Sequence, residues 1–221
     1  MISRMSEHRS LACHWADLAL LGITVNLAVL VAAPILRPDL NLLERSLSYY
    51  AVGPWGVVQA AAFVALGIAS LALAAALPRS GFDSAWLRLS GLLIVVAGVA
   101  SLGLVVYPMG APGPATFLGD AHQTAGTIAG VAQLAATLAF ALAIRADPVW
   151  GGLFRIAGLA FIAAVVGAIL SQAAIWWPER GIPMGATMRL LAIPLVLFWG
   201  VVALRLRQRC ARTISRSASG R

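Results

Sequence analysis

The stretch Gly56–Leu77 reads GVVQAAAFVALGIASLALAAAL, 22 residues without one charge. A helix needs about 20 apolar residues to cross about 30 Å of hydrocarbon, so this segment predicts a membrane-spanning helix. Lipid offers no partners for bare backbone N–H and C=O groups, and a helix satisfies them internally. Working outward, five more stretches have the same character: Ala16–Leu36, Leu87–Tyr107, His122–Ile144, Phe154–Trp177 and Leu190–Leu206. Proline or arginine stands near most of their ends, as with Arg37, Pro78, Arg79, Pro108, Arg145, Pro148 and Pro178.

The whole chain has this balance. Of 221 residues, 61% are hydrophobic and 11% are charged, against about 25% charged in an ordinary soluble domain. The expected fold is therefore all-α, an integral membrane bundle of six transmembrane helices. Residues 1–15 form an N-terminal segment, 16–206 the transmembrane domain, and 207–221 a basic tail expected to be disordered. The run that follows the polar N-terminal residues is long enough to span, so it reads as a retained helix rather than a cleaved signal peptide.

All 16 basic residues are arginine, and the net charge is +8. They lie in short loops and in the tail, which reads as topology signal and lipid contact rather than nucleic-acid binding. Twelve of them fall on the side that holds both termini: Arg4, Arg9, Arg79, Arg88, Arg145, Arg155 and six from Arg205 to Arg221. The other side has Arg37, Arg45, Arg180 and Arg189. Arginine-rich loops stay in the cytoplasm, so both termini are expected there, in a multi-pass protein of the cell membrane. The two cysteines, Cys13 and Cys210, then share the cytoplasmic side, which argues against a disulfide.

Some patterns concern packing. Arg88-Leu-Ser-Gly91-Leu92 opens the third span and Arg155-Ile-Ala-Gly158-Leu159 the fifth, and both spans end in an aromatic–proline pair. A hairpin of spans two and three, repeated as spans four and five, fits this; so does chance in an apolar alphabet. Gly126 with Gly130, Ala97 with Ser101, and Gly167 with Ser171 read as small pairs that let helices approach closely. Asn26 and Gln133 are the deepest polar side chains, and an interhelical hydrogen bond of roughly 1 kcal/mol is the expected use.

The arginine-poor loops carry the chemistry. The first holds Asp39, Glu44, Arg45, Ser48, Tyr49 and Tyr50. The third reaches Asp120 and His122, and the fifth holds Glu179 and Arg180. Gln59 and Gln172 lie just inside the same face. Two readings stand side by side. One is a polar pocket built from Glu44, Arg45, Ser48, Tyr49, Gln59, His122, Gln172 and Glu179, with His122 and Asp120 as candidate catalytic groups. The other is structural: Asp120-x-x-Gln123 as a helix cap, solvated interfacial charges, and an aromatic belt of Tyr49, Tyr50, Trp55, Tyr107, Trp176 and Trp177.

Several classes are disfavoured. His14 and His122 fall at opposite membrane surfaces, too far apart to ligate one haem iron. No H-E-x-x-H, G-x-S-x-G or Walker loop occurs. No metal site and no cofactor are expected.

The Ser46-x-Ser48…Gly53-Pro54-Trp55-Gly56 segment, the Tyr107-Pro108 pair ending the third span, and His122 opening the fourth resemble the domain-of-unknown-function-998 family of bacterial and archaeal membrane proteins. The resemblance covers roughly residues 16–206 and implies a six-helix membrane protein without an agreed activity. It also implies an acid soon after the aromatic–proline pair, where this chain has Met109 and Gly110. The leading expectation is a binding or accessory protein whose outward-facing pocket takes a lipid headgroup, another small ligand or a membrane protein partner. The alternative is a membrane enzyme acting on a lipid or isoprenoid, with His122 as base oriented by Asp120 or Glu44. A small-molecule transporter comes third.

Overall fold

The computed structural model of the protein describes the backbone of residues 2–110 and 116–219 and the side chains of 11–110 and 116–212. Pro112, Gly113 and Pro114 of the third loop lie outside the described residues, as do the side chains of Arg4, His8, Arg9, Arg216 and Arg221. Six helices make up the bundle: α1 (Ile2–Leu36), α2 (Gly56–Ala76), α3 (Ala85–Val106), α4 (Phe117–Ile144), α5 (Phe154–Trp176) and α6 (Met184–Ser219). Short 3-10 turns, Leu47–Ala51 among them, join some of them, and no strand occurs among the described residues. All six helices are long and apolar enough to cross a membrane. The protein is a multi-pass membrane protein.

Two ends run longer than the sequence suggests. α1 begins at Ile2, and α6 continues to Ser219 where a disordered tail was expected. Residues 205–219 contain neither glycine nor proline, so nothing in the local chemistry breaks the helix.

Neighbouring helices pack around the bundle in the order α1, α2, α3, α4, with α6 closing on α1 and α5 resting on α6. Close approach is concentrated at a few glycines. A Cβ on Gly22 of α1 would stand 2.5 Å from the Ala65 carbonyl of α2. One on Gly167 of α5 would stand 2.4 Å from the Leu191 amide of α6. Gly167 and Ser171 therefore serve as the packing pair the sequence suggests, and Ser171 Oγ adds a 3.0 Å hydrogen bond to Thr187 of α6. Gly126 and Gly130 do not. Their added Cβ atoms would meet only leucine methyls at 3.6 and 3.7 Å, because both line a cavity instead of a helix crossing.

The main apolar core lies in the arginine-rich half. It unites Ala16–Ile23, Ala69–Leu77, Leu87–Ile94, Ala136–Ile144, Trp150–Ala160 and Val196–Leu206. Phe140 is its hub, in edge-on contact with Trp150, Phe198 and Trp199 at 5.4–5.9 Å between centroids. At the same end Arg207 pairs with Asp17 at 2.6 Å, Arg205 donates to the Val149 carbonyl at 2.6 Å, and Arg209 covers the Trp150 ring. Cys13 and Cys210 are joined there as a disulfide, contrary to the expectation of free thiols. That expectation weighed compartment alone. The packing of α6 against α1 places the two Cα atoms 5.7 Å apart, within the range a disulfide spans.

Candidate functional site

His122 is the sixth residue of α4 and is 4% exposed. Its two ring nitrogens have different partners. Nδ1 lies 2.7 Å from the Tyr107 carbonyl, and Nε2 lies 2.8 Å from Ser48 Oγ. A carbonyl only accepts, so Nδ1 carries the proton and donates it to Tyr107. In the neutral imidazole Nε2 is then bare and accepts from the Ser48 hydroxyl. The ring also meets Phe63 edge-on, with centroids 6.2 Å apart.

Local chemistry explains each part of this chain of bonds. Pro108 cannot continue a helix, so α3 ends at Val106 with Tyr107 as its cap. The last carbonyls of a helix have no partner within it, and that of Tyr107 is the one His122 uses. Ser48 sits in the 3-10 turn Leu47–Ala51. The loop carrying it is fastened from two sides. Arg189 of α6 donates to the carbonyls of Leu42 at 2.7 Å and Arg45 at 3.2 Å, and the Ala186 amide donates to Leu43 at 2.9 Å. Gly185 is required for this fit, since a Cβ there would stand 2.4 Å from the Arg45 carbonyl. Just after α1, Arg37 binds the Val52 carbonyl and the Asp39 carboxylate. The Arg37 guanidinium, hydrogen-bonded to Asp39, holds that carboxyl below the usual carboxylate range.

Behind the histidine is a cavity of ≈ 300 Å³, at the lower end of the roughly 300–1,000 Å³ typical of small-molecule sites. Its polar groups are Ser48, Ser101, His122, Gln123, Thr127, Gln133, Ser171 and Gln172. Its walls are apolar, with Phe63, Leu66 and Leu104 on one side and Ile175, Leu191 and Leu195 on the other. Most polar groups gather at the loop end. Gln133 lies 11 residues further along α4, about 16 Å deeper at 1.5 Å per residue. Gln123, Thr127 and Val131 on α4 and Gln172 and Ile175 on α5 are exposed as well as cavity-lining. The cavity therefore opens sideways between α4 and α5. Gly126 and Gly130 keep it open by having no side chain.

Of the expected site residues, Ser48, His122 and Gln172 meet on this cavity. Gln59 does not. It is 2% exposed, under Trp55 beside Arg37 and Tyr50, and its Oε1 has no hydrogen-bond partner among the described residues. Glu44 is exposed on the loop. Arg45 stacks on the Tyr49 ring at 5.3 Å. Glu179 is exposed in a turn between α5 and α6. Asp120 is exposed in the first turn of α4 and is not its cap: the helix starts at Phe117, and Thr116 caps it by accepting the Gly119 amide at 3.1 Å. Neither Asp120 nor Glu44 bonds His122; a backbone carbonyl does the orienting expected of a carboxylate. Asn26 makes an interhelical hydrogen bond, to the Ala62 carbonyl at 3.1 Å, whereas Gln133 faces the cavity. Ser171, Gln123, Thr127 and the α6 leucines join the site only through the fold. The positions of Gly126 and Gly130, each three residues after Gln123 and Thr127 on one face of α4, are the signal that marks them.

Fold and cavity together define a class: a multi-pass α-helical membrane protein with a cavity inside the bundle that opens between two helices. Within that class the chain belongs to the family described as Protein of unknown function (DUF998), whose profile matches residues 20–205. No curated protein and no solved structure matches the chain.

Proposed function

We propose that this protein is a lipid-binding protein of the cell membrane, with both termini in the cytoplasm and the His122 cavity toward the outer leaflet. The observation that carries this is the lateral mouth between α4 and α5, joined to a cavity whose polar groups gather at the loop end and whose walls are mostly apolar. A bilayer lipid entering sideways would place its headgroup or ester region against Ser48, His122, Gln123 and Gln172, and its chain against Phe63, Leu104 and Leu191. Polar side chains facing hydrocarbon are costly unless they have partners, and a lipid's own polar groups supply them. Asn26 is tied to Ala62 and is absent from the cavity wall, which makes a polar path across the midplane the weaker reading.

The test is photo-crosslinking of a diazirine-tagged phospholipid to the full chain in nanodiscs. Adducts are expected on α4 and α5 beside the mouth. Gly130→Leu fills the cavity and should reduce them roughly tenfold, equivalent to about 1.4 kcal/mol. Gly91→Leu makes the same change where a Cβ meets nothing within 4 Å and should leave them unaltered. Equal crosslinking in all three proteins would overturn the proposal.

A further inference from the structure

Three side-chain systems stand out beyond lipid binding: the disulfide at the arginine-rich end, the buried Gln59 beneath Trp55, and the Ser48–His122 pair. Only the last joins a nucleophile, a base and an orienting group on a cavity. Ser48 Oγ is 2.8 Å from His122 Nε2, and His122 Nδ1 is 2.7 Å from the Tyr107 carbonyl. This is the geometry by which a weak hydroxyl nucleophile is activated: a base within hydrogen-bond reach, itself held by a third group. The Tyr107 carbonyl fixes the tautomer, leaving Nε2 free to take a proton. In triads a carboxylate has this place and also stabilises the imidazolium; a carbonyl dipole does so more weakly, which points to slow turnover.

We propose that Ser48 is an acyl-accepting nucleophile toward an ester-linked acyl lipid held in this cavity. The inference rests on the lipid-binding reading above. Ser48 Oγ attacks the ester carbonyl carbon as its proton passes to His122 Nε2. The carbonyl oxygen becomes an oxyanion, for which the carboxamides of Gln123 and Gln172 on the same cavity are the donors. The C–O bond to the lipid alcohol then breaks, and the alcohol leaves with the proton returned by His122. Water attacks the acyl-Ser48 ester with His122 again taking the proton, releasing a fatty acid and regenerating the hydroxyl. No oxidant or reductant enters. The fastening of the Ser48 loop by Arg189 and Arg37 is what such a site needs, because a nucleophile must be held in place before the substrate arrives.

The experiment uses the full chain in nanodiscs with an alkyl fluorophosphonate, which forms a stable adduct only with an activated serine. Peptide mass spectrometry should place the adduct on Ser48. Ser48→Ala should remove it, and His122→Ala should slow it by at least about 100-fold, the usual contribution of a general base. Because loss of His122 can disturb folding, a second variant is read. The thiol of Ser48→Cys should alkylate with iodoacetamide faster at neutral pH than in Ser48→Cys combined with His122→Asn. An unmodified Ser48 in wild-type protein that still crosslinks lipid would overturn the catalytic role and leave lipid binding standing. Labelling of Ser48 without any lipid crosslink would overturn the lipid-binding reading and, with it, the acyl-lipid substrate. Alkylation rates unaffected by His122 would reduce the pair to a structural pin and also overturn the proposal.

Discussion

The two ends of this bundle are built differently. The arginine-rich half holds nearly all of the main apolar core, an aromatic hub around Phe140 and a disulfide. The arginine-poor half has one small cluster, of Val29, Ala33, Tyr50 and Ala62, and beside it a cavity with a sideways mouth. Its order comes from polar fastening of one loop rather than from packing. Such a division lets one end keep the helices together while the other keeps open space lined by polar groups. Residues held for function often lack the contacts that would best stabilise the fold.

That contrast can be broken most directly at Phe140. Phe140→Ala removes the hub of the dense half and is expected to cost about 3–5 kcal/mol, read as a loss of thermal stability in nanodiscs. A smaller difference separates two glycines. Gly22→Ala forces a methyl to 2.5 Å from the Ala65 carbonyl and should destabilise by about 1–3 kcal/mol, the usual cost of overpacking. Gly126→Ala has room and should stabilise slightly, since alanine favours a helix interior by up to about 1 kcal/mol over glycine. Equal effects at both positions would erase the distinction between crossing and cavity. Gly185→Ala tests the fastened loop. It should leave global stability almost unchanged while displacing Ser48, seen as loss of fluorophosphonate labelling with lipid crosslinking retained.

The smallest effect is expected from pH. Asp39 titrates below its ordinary value because Arg37 binds it, so its contribution is complete above the unfolded value of about 3.9 and is lost as pH falls through the folded value. Trp55 fluorescence should therefore be flat from pH 7 to 5 and change only in stronger acid. A change beginning near pH 6 would assign the loop's order to another group.

The disulfide bears on orientation. The proposed orientation, argued from the arginine count, has this end in the cytoplasm, whereas stable disulfides belong to oxidising compartments. Cys13 and Cys210 are the chain's only cysteines, so maleimide labelling reports on this end alone. Labelling after reduction from the cytoplasmic side supports the proposed orientation. Labelling only from the outside would invert it and turn the His122 cavity toward the inner leaflet.

How much of this was legible beforehand follows from the range of each interaction. The spans were readable because apolar length is a property of consecutive residues. Tyr107-Pro108 marked the end of α3 for the same reason, since proline stops a helix locally. His122 and Ser48 stood out individually, yet their 74-residue separation hid the hydrogen bond between them. Gly126 and Gly130 looked like a packing pair because sequence spacing reveals a small-residue face without showing what lies opposite. Asp120 looked like a cap because its spacing to Gln123 fits one; Thr116, four residues earlier, took that place.

By itself, then, the sequence determined that this chain enters the membrane six times and which end of the bundle gathers the arginines, because lipid selects on hydrophobic length and on charge at span ends. Tertiary structure alone decided which face of α4 meets a cavity, that Cys13 meets Cys210, and that a backbone carbonyl rather than an acid orients His122. Those outcomes depend on how helices rotate and cross, and in hydrocarbon that is governed by close packing and hydrogen bonds between distant residues, on which the order of residues along one helix is silent.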